Sequence, residues 1–203
     1  MTLRETVLHE LLNLFLAEGI NHLSNEELAD RLKISNATLR EMFPDKTELV
    51  KQVIQFDLQV QKTDQDALLQ KSPNAVEDLM HLLQYGITST KRIKSDFINE
   101  LITGYPAAWQ IYLTHLETYS YHLLYDIINK GILEGNFRKD INIQLVVKII
   151  LEQVQMLLNP AIFPPEKFDL SEVFRSIFLY YIRGICTDTG SKISENFFAR
   201  VSR

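Results

Sequence analysis

Apolar residues recur at helical spacing along almost the whole chain, and polar breaks carrying helix-start and helix-stop signals separate them. Leu11, Leu12, Phe15 and Leu16 share one face near the start; Leu28, Ala29 and Leu32 share another; Leu49, Val50, Val53, Ile54 and Phe56 mark a longer helix that begins after Pro44. Further helices are predicted at about 73–93, 95–104, 107–130, 141–159 and 170–187, separated by Gly104-Tyr105-Pro106, Gly131 to Asp140, and Asn159-Pro160 to Pro165. No stretch alternates β-branched and polar residues between hairpin turns. The pattern predicts an all-α protein with no internal repeat.

The most specific local signals fall between Ser24 and Lys46, SNEELADRLKISNATLREMFPDK. Ser24 stands three residues before Glu27, the spacing of a capping box in which hydroxyl and carboxylate satisfy each other's backbone N–H groups. Ser35 is placed to cap a second helix. That helix, Ala37 to Phe43, has barely two turns before Pro44 stops it. A helix so short is marginal alone and is held by its neighbours to present a face. Two short capped helices joined by a tight turn form the layout of a DNA-reading helix-turn-helix.

With its flanking helices, this stretch resembles the N-terminal DNA-binding domain of the TetR family of bacterial transcriptional regulators. The resemblance runs through Phe15-Leu16-Ala17-Glu18-Gly19-Ile20, Leu28-Ala29, Ile34-Ser35, Thr38-Leu39, Phe43-Pro44, Lys46 and Leu49, and again through Gly131 to Ile141. Two positions depart from the family pattern: Arg40 stands where a tyrosine is common, and Met42 where Tyr or His is usual. Both normally face DNA, so the operator sequence is not inherited. The resemblance implies a three-helix helix-turn-helix domain over residues 1–48, joined by a long helix to a larger helical domain for effector binding and dimerisation over 49–203.

Recognition helices contact bases from their N-terminal ends, and hydroxyls at helix starts hold phosphates. The expected DNA contacts are therefore Asn36, Ala37, Thr38 and Arg40 at the bases, with Ser24, Ser35 and Lys46 on phosphates; Leu39 and Phe43 point inward. The expected partner is a double-stranded operator, bound by a homodimer acting as a repressor. Helices INIQLVVKIILEQVQMLL and SEVFRSIFLYYIRGIC are apolar on more than one face, which suits a four-helix dimer contact built from two copies of the pair.

Aromatic residues crowd the region after residue 96. Trp109, Tyr112, His115 and Tyr119 recur at spacings that place them near one helix face, and Phe97, Tyr105 and Met156 lie on neighbouring segments. Such a stripe can line a cavity for an apolar or aromatic effector, or it can be plain core.

Composition narrows the picture further. The chain has 203 residues, 46% of them hydrophobic, enough for a sizeable core. Its apolar runs fall short of the ~18 residues that suggest a membrane span, so no membrane partner is expected. A single cysteine, Cys186, excludes an intrachain disulfide and suits the cytoplasm. Net charge is −5, and within residues 1–52 six cations face nine acids, leaving −3. An acidic head weakens non-specific DNA binding and keeps open two alternatives, a helical protein-interaction module and a small-molecule carrier. The scattered glycines and the absence of metal-ligand spacings predict no catalytic residue, no metal and no cofactor. Lys91, Arg92 and Lys94 form a basic patch explained by a helix C-terminus.

Overall fold

The computed structural model describes residues 2–93 and 96–201, so Lys94 of the basic patch lies outside the described residues. Among those residues the chain is helical apart from turns and one isolated antiparallel bridge between Phe137 and Cys186. No described helix is long and apolar enough to cross a membrane.

The helices are α1 (Leu3–Glu18), α2 (Asn25–Leu32), α3 (Asn36–Met42), α4 (Lys46–Leu69), α5 (Ala75–Lys91), α6 (Phe97–Gly104), α7 (Pro106–His115), α8 (Tyr121–Leu133), α9 (Ile143–Leu157), α10 (Leu170–Ile185) and α11 (Asp188–Val201). The helix expected over 107–130 is interrupted by a π turn, Leu116–Ser120, between α7 and α8. α11 was not expected from the sequence.

Two compact units emerge. The first combines Met1–Lys62 with Arg92–His115, and the second combines Thr63–Lys91 with Leu116–Arg203. The sequence boundary at 48/49 differs from this division, which falls inside α4 and brings α6 and α7 into the same unit as α1 to α3. The reason lies in the core. Leu11, Phe15, Ile20, Leu28, Leu49, Val50 and Val53 are fully buried, and Phe97, Leu101, Tyr105 and Ala108 belong to the same apolar cluster.

The turns around α2 and α3 are closed largely by local hydrogen bonds. Ser24 and Glu27 form both halves of the capping box, Ser24 N–H to Glu27 Oε2 at 2.7 Å and Glu27 N–H to Ser24 Oγ at 3.2 Å. α2 ends at Lys33 in the left-handed region, φ 55°. The Ile34 N–H then returns to the Ala29 carbonyl at 3.1 Å. Ser35 caps α3, accepting the Thr38 N–H at 3.0 Å.

In the second unit, α5 and α10 approach closely at Gly86, where an added Cβ would lie 2.3 Å from Phe174 Cζ. Phe174 in turn packs on Phe178, ring centroids 4.4 Å apart. α11 is seated on α5 by His81 and Phe197, edge to face at 5.0 Å. Glu134 accepts the Ala75 N–H at 3.0 Å and so caps α5 from the end of α8.

Candidate nucleic-acid interface

Seven residues make up α3, and their burial divides them cleanly. Leu39 is 2% exposed and Phe43, which follows the helix, is 3% exposed. Both lock α3 onto the core of the first unit. Asn36, Ala37, Arg40 and Glu41 are exposed. Their spacing of i, i+1, i+4 and i+5 puts them on one face. Thr38 and Met42 flank that face and are half-buried.

Several expected phosphate contacts already have partners within the unit. Ser24 Oγ accepts the Glu27 N–H. The Ser35 hydroxyl holds the Thr38 N–H and also shares a 2.8 Å hydrogen bond with the Thr38 hydroxyl. The half-buried Lys46 ammonium donates to the Leu23 carbonyl. Burial lowers its pKa, opposed by the nearby charges of Glu100 and Glu27.

Some of the charges of this unit are already engaged within it. Arg31 grips Glu18 through two bonds of 2.6 and 3.0 Å. Lys51 pairs with Glu48 at 2.6 Å. Arg4 donates to Gln52 and sits over the Phe43 ring, 5.4 Å from its centroid. Arg40 and Lys33 are exposed and, among the described residues, form no ion pair. Glu41 is exposed as well, and its side chain has neither ion pair nor hydrogen bond among the described residues. Sequence reasoning passed over Glu41; its exposure on the Arg40 face is the signal that singles it out.

The seven residues expected to meet an effector divide between the two compact units. Phe97, Tyr105, Trp109, Tyr112 and His115 belong to the first unit, Tyr119 and Met156 to the second. Phe97 and Tyr105 lie in the apolar core of the first unit. Trp109 and Tyr112 stack at 5.1 Å and pack against that core. Burial, helped by the Asp57 charge, pushes the Tyr112 phenol well above its usual range. Burial and the Lys62 charge lower the His115 pKa. Tyr119 lies in the π turn and donates to Asp66 at 3.1 Å. Burial and that bond push its phenol up to about 12. Met156 is exposed on α9.

The remaining chemistry is sparse. Among the described residues no group of three or more His, Cys, Asp or Glu side chains could hold a metal ion. Cys186 is buried, and burial pushes its thiol up to about 11, away from the reactive thiolate.

No family model and no curated protein sequence matches the chain. Its fold does match solved structures. A TetR-family transcriptional regulator from Agrobacterium tumefaciens is 16% identical, with 91% of this chain and 98% of that one covered at a TM-score of 0.71. A transcriptional regulator from Saccharomonospora viridis in complex with choline is 18% identical, covering 91% and 97% at a TM-score of 0.73. The transcriptional regulator FadR from Bacillus subtilis in complex with stearoyl-CoA is 14% identical, covering 88% and 97% at a TM-score of 0.68. The chain therefore has the fold of these regulators over nearly its full length, an all-α arrangement of a helix-turn-helix head and a helical body.

Proposed function

We propose that this chain, with the fold just described, is a TetR-type transcriptional regulator: a homodimer that binds an operator and releases it when a small molecule binds. The observation that carries the reading is the face of α3, where Asn36, Ala37 and Arg40 are exposed while Leu39 and Phe43 anchor the helix from behind. A helix held this way is suited to enter a major groove, and the guanidinium of Arg40 can grip guanine O6 and N7.

Dimerisation is assigned to α9 and α10. Leu145, Ile149 and Met156 form an exposed apolar stripe on α9, and Tyr180 is 66% exposed on α10. Burying such surface against a second copy is favourable, and a two-fold axis makes the contact self-complementary. The two recognition helices then address successive major grooves about 34 Å apart. An effector that favours a different spacing weakens binding, and a coupling of about 1–3 kcal/mol changes affinity some 5- to 150-fold. The effector class is apolar or aromatic, with Trp109, Tyr112 and His115 of α7 its first candidate contacts. The repressor acts in the cytoplasm, where the operator is.

The acidic balance of the first 52 residues favours a second reading, a helical module that binds protein instead of DNA. Fluorescence anisotropy on tiled fragments from the DNA flanking the protein's own gene, at low and near-physiological salt, separates the two. Tight binding to one fragment carrying an inverted repeat is the expected result. Equal, weak binding to every fragment that vanishes with salt moves the interaction module to the front.

A further inference from the structure

The Glu41 side chain is exposed on α3 and has no local partner among the described residues. It lies in the last turn of α3, where the helix dipole disfavours an acid. Arg40 is adjacent in sequence, yet the two side chains form no ion pair among the described residues. Several other acids of the first unit have partners, whereas the side chains of Glu26 and Asp30, exposed on α2, have none among the described residues. Glu27 closes a capping box, Glu18 holds Arg31, Glu48 holds Lys51, and Asp45 accepts the Glu48 N–H at 2.8 Å. Glu41 does none of this, yet it shares its face with Asn36, Ala37 and Arg40. On a surface that meets phosphates, an unpaired carboxylate costs affinity for every DNA sequence alike. What offsets the cost in a major groove is a base edge that donates. Cytosine presents the N4 amino group there, whereas guanine offers only acceptors and adenine sets an N7 acceptor beside its N6 donor.

We propose that Glu41 is a specificity-determining residue that accepts a hydrogen bond from cytosine N4, so that each operator half-site contains a C read by Glu41 beside the base read by Arg40. The proposal rests on the DNA-binding reading above and goes beyond it by assigning a base. Glu41 then works by exclusion as well as by contact, because a carboxylate facing guanine O6 or thymine O4 repels.

The test uses the full-length protein and the operator fragment found by anisotropy. Duplexes carrying each half-site base pair changed singly are titrated with the wild type, Glu41→Ala, Glu41→Gln and Arg40→Ala. For the wild type, one C·G pair per half-site is expected to lose about tenfold or more on substitution, the low end of what a good base-edge contact supplies. Glu41→Ala makes that pair neutral while the penalties at other pairs persist. Glu41→Gln moves the preference at the same pair toward adenine, because an amide matches adenine N6 and N7. A merely structural role for an exposed side chain would not move a base preference. If both Glu41 variants bind all duplexes more tightly by the same factor and keep the wild-type profile, Glu41 is a repulsive bystander and the proposal falls. If the wild type distinguishes no fragment from random DNA, the DNA-binding reading itself has failed.

Discussion

Glu100 Oε2 accepts the Ile20 N–H at 2.5 Å and the Asn21 N–H at 3.2 Å, so a carboxylate from α6 closes the turn that leads into α2. The turn is shaped for it. Gly19 has φ +84°, and a Cβ there would lie 2.9 Å from the same oxygen. Tyr105 adds a bond to Asn21 Oδ1 at 3.3 Å. Glu100 is only 7% exposed, and hydrogen bonds to a charged group contribute about 1.5–3 kcal/mol. Glu100→Ala is expected to cost at least that much and to raise amide exchange at Ile20 and Asn21. Gly19→Ala should destabilise too, by about 1 kcal/mol or more, since it combines a left-handed φ with a close approach. Unchanged protection at Ile20 in the Glu100 variant would mean the turn stands without it.

A single methyl group should separate α5 from α10. Gly86→Ala places a Cβ 2.3 Å from Phe174 Cζ, so the ring or the helix has to shift. Overpacking of this kind costs about 1–3 kcal/mol. Adding Phe174→Leu to Gly86→Ala should recover part of the loss because the two sites share one contact, and urea midpoints for the four-member cycle measure the coupling. Additive losses would exclude the contact.

On the proposed DNA-reading face, Arg40→Ala should lower operator affinity by about 1–3 kcal/mol and relax the preference at one base pair. Lys46→Ala should weaken operator and random DNA alike. Because its ammonium also ties the Leu23 carbonyl, that variant should lower the urea midpoint as well. Anisotropy on operator and scrambled duplexes distinguishes the two: equal losses on both for Arg40→Ala would end its base-reading role.

The dimer assignment meets its check at Ile149, which is 44% exposed on α9. Ile149→Glu sets like charges across a two-fold axis and is expected to yield monomers in sedimentation velocity, with normal helicity and much weakened operator binding. A variant that sediments as the wild type does would place the interface elsewhere.

Alkaline pH supplies an independent handle on the π turn. The Tyr119 phenol is pushed up from 10.0 to about 12, so the unfolded chain loses this proton before the folded one does. Its contribution to stability is fully present below about pH 10 and is lost as pH rises through about 12. Tyr119→Phe should flatten that part of the stability profile, read from urea unfolding at stepped pH. A profile identical to the wild type would show that Tyr119 does not titrate in this window.

The features legible in the sequence are those closed within three or four residues. The Ser24–Glu27 box, the Ser35 cap and the stop at Phe43-Pro44 are such features, and so is the inward direction of Leu39. Each depends on neighbours along one helix, where spacing alone dictates which groups meet. Periodicity likewise determined the all-α class and the surplus apolar face of the helix around Ile149. Tertiary structure decided the rest. Glu100 meets Ile20 across 80 positions, and Phe174 reaches Gly86 through space, so no local pattern announces either contact. Core packing drew α6 and α7 into the unit of the head, which moved the division from 48/49 to a point inside α4. α11 is largely polar and was missed; it is seated by Phe197 on His81 and by the close approach of Gly190 to the Asn136 carbonyl. The π turn re-phases the aromatic stripe that uniform helical spacing would have aligned. Chain-local hydrogen bonds are written in adjacent letters, whereas burial is a property of the whole chain folded on itself.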